Sequence, residues 1–481
     1  MKKSVPLQDI PHSAELFQRV FDAGQGHIFT WWSELAEEEK LVLLKQINTI
    51  DFSLLEKVTQ EYSKIDIAKN DAHLKPAKGI TLRGNALQSS DELGARAIKD
   101  GKVCSLVLAG GQGTRLGFNF PKGMYPIGPV SGKSLFEVFA DKIKIVSKRY
   151  GGSHAIRWYI MTSDATDLET KYFFEKNNFF GLEGSVFFFK QGSLPSIDFL
   201  GKLIMDSKYH IFENPDGHGG LLKGLGKNGI LDDMTQQGIE YIFIHNVDNP
   251  LTKVCNPVFI GSHIGTKADF SCLSILKQSQ DEHLGSIVEE GGKLRILEYT
   301  DIPKYSVGVK NEKKRLIFRN GNTNTYIINV NFLKRLYEEN NFLPIHLTRK
   351  KIPTMDSSGN LYHPQESNGI TLETKIFDIL KYTERSNMFI GKRTDEFSPL
   401  KNKEGLDSYT SLLQSMNKLF AKWIDAVGIH ISREMVSKIE ISPTFAIDLS
   451  TFKEKVKLIG RSKLKNLIEE QIENSGTIFL S

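Results

Sequence analysis

Between Val103 and Gly128 the chain reads VCSLVLAGGQGTRLGFNFPKGMYPIG, and residue types suited to binding an anion are concentrated there. Gly110, Gly111, Gly113 and Gly117 surround Arg115, and Pro121-Lys122-Gly123 follows. Glycines let a backbone approach a ligand closely and turn its N–H groups toward negative charge. Arg115 and Lys122 add two cations to the same loop. The run before it, Val103-Cys104-Ser105-Leu106-Val107-Leu108, is apolar and short enough for a buried strand. A strand that ends in such a loop reads as a site for a phosphate-rich ligand. Two familiar motifs fail on spacing. After Gly111-x-Gly113 the next glycine is Gly117, which misses the dinucleotide pattern by one residue, and Gly128-x-x-x-Gly132-Lys133-Ser134 is one residue short of a P-loop.

A second carrier of chemistry lies further on. Tyr241-Ile-Phe-Ile-His245 is an apolar strand that runs into Asn246-Val247-Asp248-Asn249. A carboxylate at a strand end facing a phosphate loop is the natural holder of a Mg²⁺ that bridges phosphate oxygens; otherwise Asp248 merely begins a turn. His245 reads as a packed side chain. Lys190-Gln191-Gly192-Ser193-Leu194-Pro195 offers in Gln191 a paired donor and acceptor suited to a uracil edge, or a residue capping its own loop. Pro215-Asp216-Gly217-His218-Gly219-Gly220 opens a helix-like run, where the glycines permit approach to a base or sugar and the helix start favours an anion. There His218 is either a ligand contact or a solvated turn residue.

The full string of glycines, Arg115 and Pro121-Lys122-Gly123 resembles the signature of nucleotide-sugar pyrophosphorylases, most closely the eukaryotic-type UDP-N-acetylhexosamine pyrophosphorylases of the UDP-glucose/UDP-N-acetylglucosamine pyrophosphorylase family. Five further stretches resemble the same family. They are the Gln191 turn, the Gly217-His218 loop, Val247-Asp248-Asn249, Leu297-Glu298-Tyr299 with Gly321-Asn322, and Glu396-Phe397-Ser398-Pro399-Leu400-Lys401-Asn402. The resemblance spans roughly residues 90 to 405. It implies an α/β, Rossmann-like (GT-A-like) nucleotidyltransferase with a central mixed sheet, and uridylyl transfer from UTP to a hexose-1-phosphate. Arg115, Lys122 and Lys401 are then the catalytic cations, Arg115 and Lys122 on the UTP phosphates and Lys401 on the sugar phosphate, and Asp248 is the Mg²⁺ ligand. Leu108, Ala109, Gly110, Gly111, Gly113, Gln191, Gly217, His218, Asn246, Glu298, Asn322 and Phe377 are implied as substrate-binding, with Glu298 and Asn322 on the sugar. Asn324 is an alternative where the family carries a second asparagine.

The resemblance favours N-acetylglucosamine-1-phosphate. Two departures point toward glucose-1-phosphate or relaxed specificity. His218 stands where the family usually has Asn, and the UDP-glucose branch carries Gly-His-Gly there. The family's aromatic pair corresponds here to Lys375 and Phe377. A non-catalytic UDP-sugar-binding protein is a third reading.

The elements that must hold these residues follow from periodicity. Helical spacing marks 14–21, 37–47, 52–62 and 91–99, the last closed by Gly101. From 103 to about 390 strands (103–108, 158–162, 186–190, 241–245) alternate with helices (134–149, 165–176, 221–228, 232–237), as in a largely parallel sheet. Segments 270–276, 287–288, 294–299 and 325–330 are expected as added antiparallel strands. After a turn-rich stretch at 396–402 come a helix at 408–427, short strands within 436–449 and at the C-terminal end, and a mixed or helical insert at 453–472. Three regions result: 1–100 mainly helical, 101–395 catalytic, and 396–481 a small C-terminal domain. A length of 481 residues suits two or three domains. The net charge of +5 is too small and dispersed to argue for nucleic acid. Three cysteines without metal spacing, an N-terminus lacking an apolar core segment and the lack of long apolar runs read as a reduced, cytoplasmic, soluble enzyme, a monomer or weak homo-oligomer.

Overall fold

The computed structural model describes residues 13–62, 74–152, 154–279, 282–299, 308–309, 316–341, 343–432 and 436–481. Residues 1–12, on which the sequence reading of the N-terminus falls, lie outside the described ones. By compactness the chain forms two units. One comprises Met1–Asp71, Gln191–Lys223 and Phe342–Ile376, and the other Ala72–Lys190, Gly224–Asn341 and Phe377–Ser481. This grouping differs from three consecutive regions because strand pairing and shared core, rather than chain order, make a unit compact.

The larger unit is built on a sheet of ten strands among the described residues. Four run parallel in the order Tyr241–Asn246, Val103–Leu108, Trp158–Thr162 and Val186–Lys190. On the other side of Tyr241–Asn246 the direction reverses at Asn320–Asn329, which also pairs antiparallel with Phe270–Leu276. The sheet is therefore mixed, as expected. Strand Val103–Leu108 is buried at every position, so it is covered on both faces, as in sheets flanked by helices. Helix Leu135–Tyr150 starts from a reciprocal cap: Ser134 Oγ accepts from Glu137 N, and the Glu137 carboxylate accepts from Ser134 N. Helix Gly84–Lys99 begins earlier than its periodicity suggests and ends at Gly101, whose φ of +71° lets Lys102 N close back on Ala97 O.

Strand boundaries also differ from the sequence reading. Asn320–Asn329 begins five residues before the expected 325, because buried asparagines hide its strand pattern. Lys293–Leu297 stops short of Tyr299, which is exposed. Within 436–449 only Lys438–Ile441 is a strand, pairing parallel with Thr477–Leu480. The insert between them is two helices, Leu449–Ile459 and Arg461–Ser475. Leu412, Ile424, Ile441, Phe452 and Leu480 join the same apolar cluster as the central sheet, so the C-terminal elements share its core.

In the smaller unit, helices Ser13–Asp22, Glu37–Thr49 and Phe52–Tyr62 bury Val20, Leu43, Ile47 and Val58 against Ile197, Leu203, Ile211, Ile370 and Leu372. Ile197, Ile211, Ile370 and Leu372 come from the short strands Ile197–Asp198, His210–Ile211 and Gly369–Thr374, the last of which pairs with Ile345–Lys350. The N-terminal helices thus complete a core with segments more than a hundred residues away in the chain.

Candidate active site

In the larger unit, parallel pairing sets Asn246 beside Leu108, so the two strands end together. The chemistry sits just past those two ends: the glycine loop after Leu108 and Asp248 after Asn246. The loop folds back on itself. Gly113 N donates to Phe120 O and Lys122 N to Gly111 O, which returns Lys122 to the glycines that precede it by eleven residues. Ser163 Oγ donates to Gly110 O from the neighbouring strand end. Gly123 then has to be glycine, because a Cβ there would lie within the Phe136 ring. Gly111 faces open space instead, with nothing within 4 Å of where a Cβ would stand. The side chains of Leu108 and Ala109 are buried, so only their backbone is offered to a ligand.

Lys122 Nζ lies 3.9 Å from Asp248 Oδ2, both side chains mostly buried. At this length the two groups face each other without a hydrogen bond, so the pair's consequence is positional. Arg115 is exposed on the same loop, in a helical turn anchored by buried Leu116. Leu400 N donates to Asp248 O at 2.8 Å, which brings Lys401 to the same place, and Lys401 N donates to Asp407 O at 2.6 Å. Asp407 adopts a φ of +57°, and burial pushes its carboxyl up, opposed by the Lys401 charge and reinforced by that of Asp248. Lys122, Asp248 and the segment that carries Lys401 are therefore brought together within one unit, on the glycine loop, one strand-end loop and the stretch after helix Arg393–Glu396.

Sequence reasoning missed what lies beneath them. Lys142 Nζ donates to Pro250 O at 2.5 Å and to Thr252 O at 2.8 Å, pinning the turn after Asp248. Burial, with the Lys253 charge adding, pushes Lys142 down to about 7. A lysine amid a helix gives no signal of this. His245 is packed as expected, 4.6 Å from the Phe139 ring, and burial pushes it down to about 3.

Asn322 is on a strand rather than in a loop. Between Cys272 and Ser274 the pairing slips, Asn324 takes a φ of +54°, and a polar triangle forms. Asn322 Nδ2 donates to Asn324 Oδ1 and to Tyr326 Oη, and Tyr326 Oη donates to Asn324 Oδ1. The Glu298 charge reaches both Tyr326 and Lys277. Phe377 is 1% exposed. The stretch that is one residue short of a P-loop is held by an internal anion: Glu440 accepts from Val130 N, Ser131 N and Ser131 Oγ.

Gln191, Gly217 and His218 belong to the smaller unit. Gln191 is buried. The Asp216–Gly220 turn wraps around Thr374, whose N and Oγ1 both donate to Asp216 O, while Gly219 N donates to Thr374 O. Cβ atoms at Gly217 and Gly219 would strike Thr374, and at Gly220 the Asp216 carboxylate. At these glycines the place of a Cβ is taken by the chain itself. His218 is not a solvated turn residue. It is half-buried, and its Nδ1 accepts from Ile376 N at 3.0 Å, which assigns the proton of the neutral ring to Nε2. Burial, then the Lys375 and His346 charges, push it down to about 3. Lys375, which stands at one position of the family's aromatic pair, pairs with Glu373 at 3.1 Å.

A family model described as UTP–glucose-1-phosphate uridylyltransferase matches residues 51–477. The chain belongs to that family. The uridylyltransferase chain is 34% identical over 472 residues to the UDP-N-acetylglucosamine pyrophosphorylase of Saccharomyces cerevisiae, covering 91% of this chain and 97% of that one. It is also 34% identical over 445 residues to UDP-N-acetylhexosamine pyrophosphorylase-like protein 1 of Xenopus tropicalis, with 88% and 87% covered. The solved uridine diphosphate N-acetylglucosamine pyrophosphorylase of Trypanosoma brucei, in complex with an inhibitor, matches with a TM-score of 0.79 at 27% identity over 99% of both chains. The uridylyltransferase is thus a nucleotidyltransferase of the UDP-sugar pyrophosphorylase kind.

Nucleotidyltransferases of this kind generally use a divalent metal. Among the described residues no three His, Cys, Asp or Glu side chains form a closed cage. One carboxylate beside a phosphate loop fits a hard cation that keeps water and substrate oxygens in its shell, and does not fit a structural zinc. Among the described residues no helix is long and apolar enough to cross a membrane.

Proposed function

We propose that the protein condenses UTP with N-acetylglucosamine-1-phosphate to give UDP-N-acetylglucosamine and pyrophosphate, with Mg²⁺ as the metal, in the cytoplasm. The observation that carries this reading is the convergence of Lys122, Asp248 and the Lys401 segment beside a glycine loop. The sugar is favoured by the relatives named for it. An oxygen of the sugar phosphate attacks the α-phosphorus of UTP in line; the bond to the β-phosphate breaks and pyrophosphate departs. No protein nucleophile is needed, so positioning and fixed charge carry the rate.

Each residue then has a task. The backbone around Gly111, facing open space, receives the nucleotide. Arg115 and Lys122 hold the UTP phosphates, and Lys401 draws in the sugar phosphate against the repulsion of two anions. Asp248 would hold Mg²⁺, which supplies charge neutralisation at the phosphate oxygens when bound. Asn246, Glu298, Asn322 and Phe377 are assigned to the nucleoside and sugar on the resemblance alone, as are Gln191, Gly217 and His218. Glucose-1-phosphate is the second reading, favoured by His218 and by the Lys375–Glu373 ion pair.

Pyrophosphate release from UTP and Mg²⁺, measured side by side with N-acetylglucosamine-1-phosphate, N-acetylgalactosamine-1-phosphate and glucose-1-phosphate, tests the proposal. Turnover with glucose-1-phosphate alone would replace the sugar named here, and release with none of the three would remove the activity.

A further inference from the structure

Asp248 and Lys401 are separated by 153 positions in the chain, yet both are assigned to one reaction centre. What joins their loops is chiefly one side chain. Asn249 is 2% exposed. Its Oδ1 accepts from Ser398 N at 3.0 Å, and its Nδ2 donates to Glu396 O at 2.8 Å and to Thr252 Oγ1 at 3.1 Å. Two of these three bonds cross to the 396–402 segment, and the third closes the 249–252 turn whose backbone Lys142 pins from below. The remaining bridges are Leu400 N to Asp248 O and the longer Lys253–Glu396 pair at 3.5 Å. Glu396, Ser398 and Leu400 are buried, so the segment has no solvent to substitute for a lost carboxamide.

A carboxamide is the side chain that can do this. The pair of backbone groups to be met is one N–H and one C=O, and only a group with a donor and an acceptor side by side meets both. Aspartate would set a carboxylate oxygen against Glu396 O, and alanine would leave a buried N–H and a buried C=O without partners. Asn249 itself is turned away from solvent, so its effect on chemistry passes through the residues on either side of the joint.

We infer that Asn249 is a positioning residue: its carboxamide joins the Asp248 loop to the Lys401 segment and thereby sets where the lysine stands relative to the metal-holding carboxylate. The inference rests on the reaction proposed above, and wild-type protein in the same assay separates the two. If wild type releases no pyrophosphate, that reading fails before Asn249 is tested. With active wild type, Asn249→Ala and Asn249→Asp are each expected to lower kcat on the order of 10- to 100-fold, the size of effect an ångström of misplacement produces, while KM for UTP changes less than about threefold. The decisive arm is a cycle with Lys401→Ala. If Asn249 acts by placing Lys401, then adding Asn249→Ala to Lys401→Ala lowers kcat by no more than about threefold further, because coupled residues are not additive. Near-normal kcat in both single variants, or the full loss repeated on top of Lys401→Ala, overturns the inference. So does failure of both variants to give a cooperative melt, which would make Asn249 a residue of folding alone.

Discussion

Two glycine-rich turns resemble each other in sequence and differ in what their glycines do. In the larger unit Gly111 opens onto free space, with two cations on the same loop and Lys122 brought back beside Asp248. In the smaller unit a Cβ at Gly217, Gly219 or Gly220 would strike Thr374 or Asp216, and the turn is closed by backbone bonds within the chain. A run of glycines states that a backbone must come close to something. Whether that is a ligand or another strand of the same chain is decided by what occupies the missing Cβ position.

That contrast is broken most directly at its functional end. Lys122→Ala is expected to keep its fold, since Lys122 Nζ makes no hydrogen bond to Asp248 at 3.9 Å, and to lose on the order of 10²-fold or more in kcat. Activity near wild type would take Lys122 out of the reaction. At the structural end, Gly220→Ala forces a methyl into the Asp216 carboxylate and is expected to destabilise by about 1–3 kcal/mol, read by denaturant unfolding. Gly111→Ala sharpens the comparison from the other side. It should fold as wild type and lose about tenfold in kcat/KM for UTP, because the added methyl occupies ligand space; equal destabilisation of both glycine variants would erase the distinction.

A smaller effect concerns pH. Burial pushes Lys142 from its ordinary 10.5 down to about 7 in the folded chain. Between those values the unfolded chain binds more protons, so stability rises with pH across the window; below it both states are protonated, the cost of burying the charge is fully present and this group adds no pH dependence. Against Lys142→Met, wild-type stability should therefore gain up to about 1.4 kcal/mol per pH unit between 7 and 10. A flat difference across that range would mean that the ammonium is not desolvated. The smallest change is expected from His218→Asn. An Asn oxygen can still accept from Ile376 N, so the fold should hold, while the ratio of turnover with the two sugar phosphates shifts by on the order of 3- to 10-fold.

What was legible in the sequence was whatever is decided locally. Val103–Leu108 and Tyr241–Asn246 are apolar almost throughout, and Ser134 with Glu137 and Gly101 mark helix ends through neighbours a few residues away. The glycine loop and Asp248 were legible because both come directly after such strands. The short strands at 193–215 and 345–374 were not, since each owes its place to pairing and packing with partners distant in the chain, as Ile370 does with Ile197. Asn320–Asn324 escaped because a strand that buries asparagines needs a polar triangle to satisfy them, and no periodicity announces one. Lys142 and Asn249 escaped for a related reason. Their partners are backbone carbonyls and amides, which every residue has and no sequence displays.

The seat that Glu440 takes has a corollary for ligand competition. Two main-chain amides and a hydroxyl in a glycine-bounded bend would suit a phosphate, and a carboxylate delivered by the C-terminal strand already sits on them. A tethered occupant presents itself at an effective concentration that a dissolved anion at cellular levels does not match. Free phosphate and pyrophosphate therefore meet a seat that is already taken on this stretch of chain.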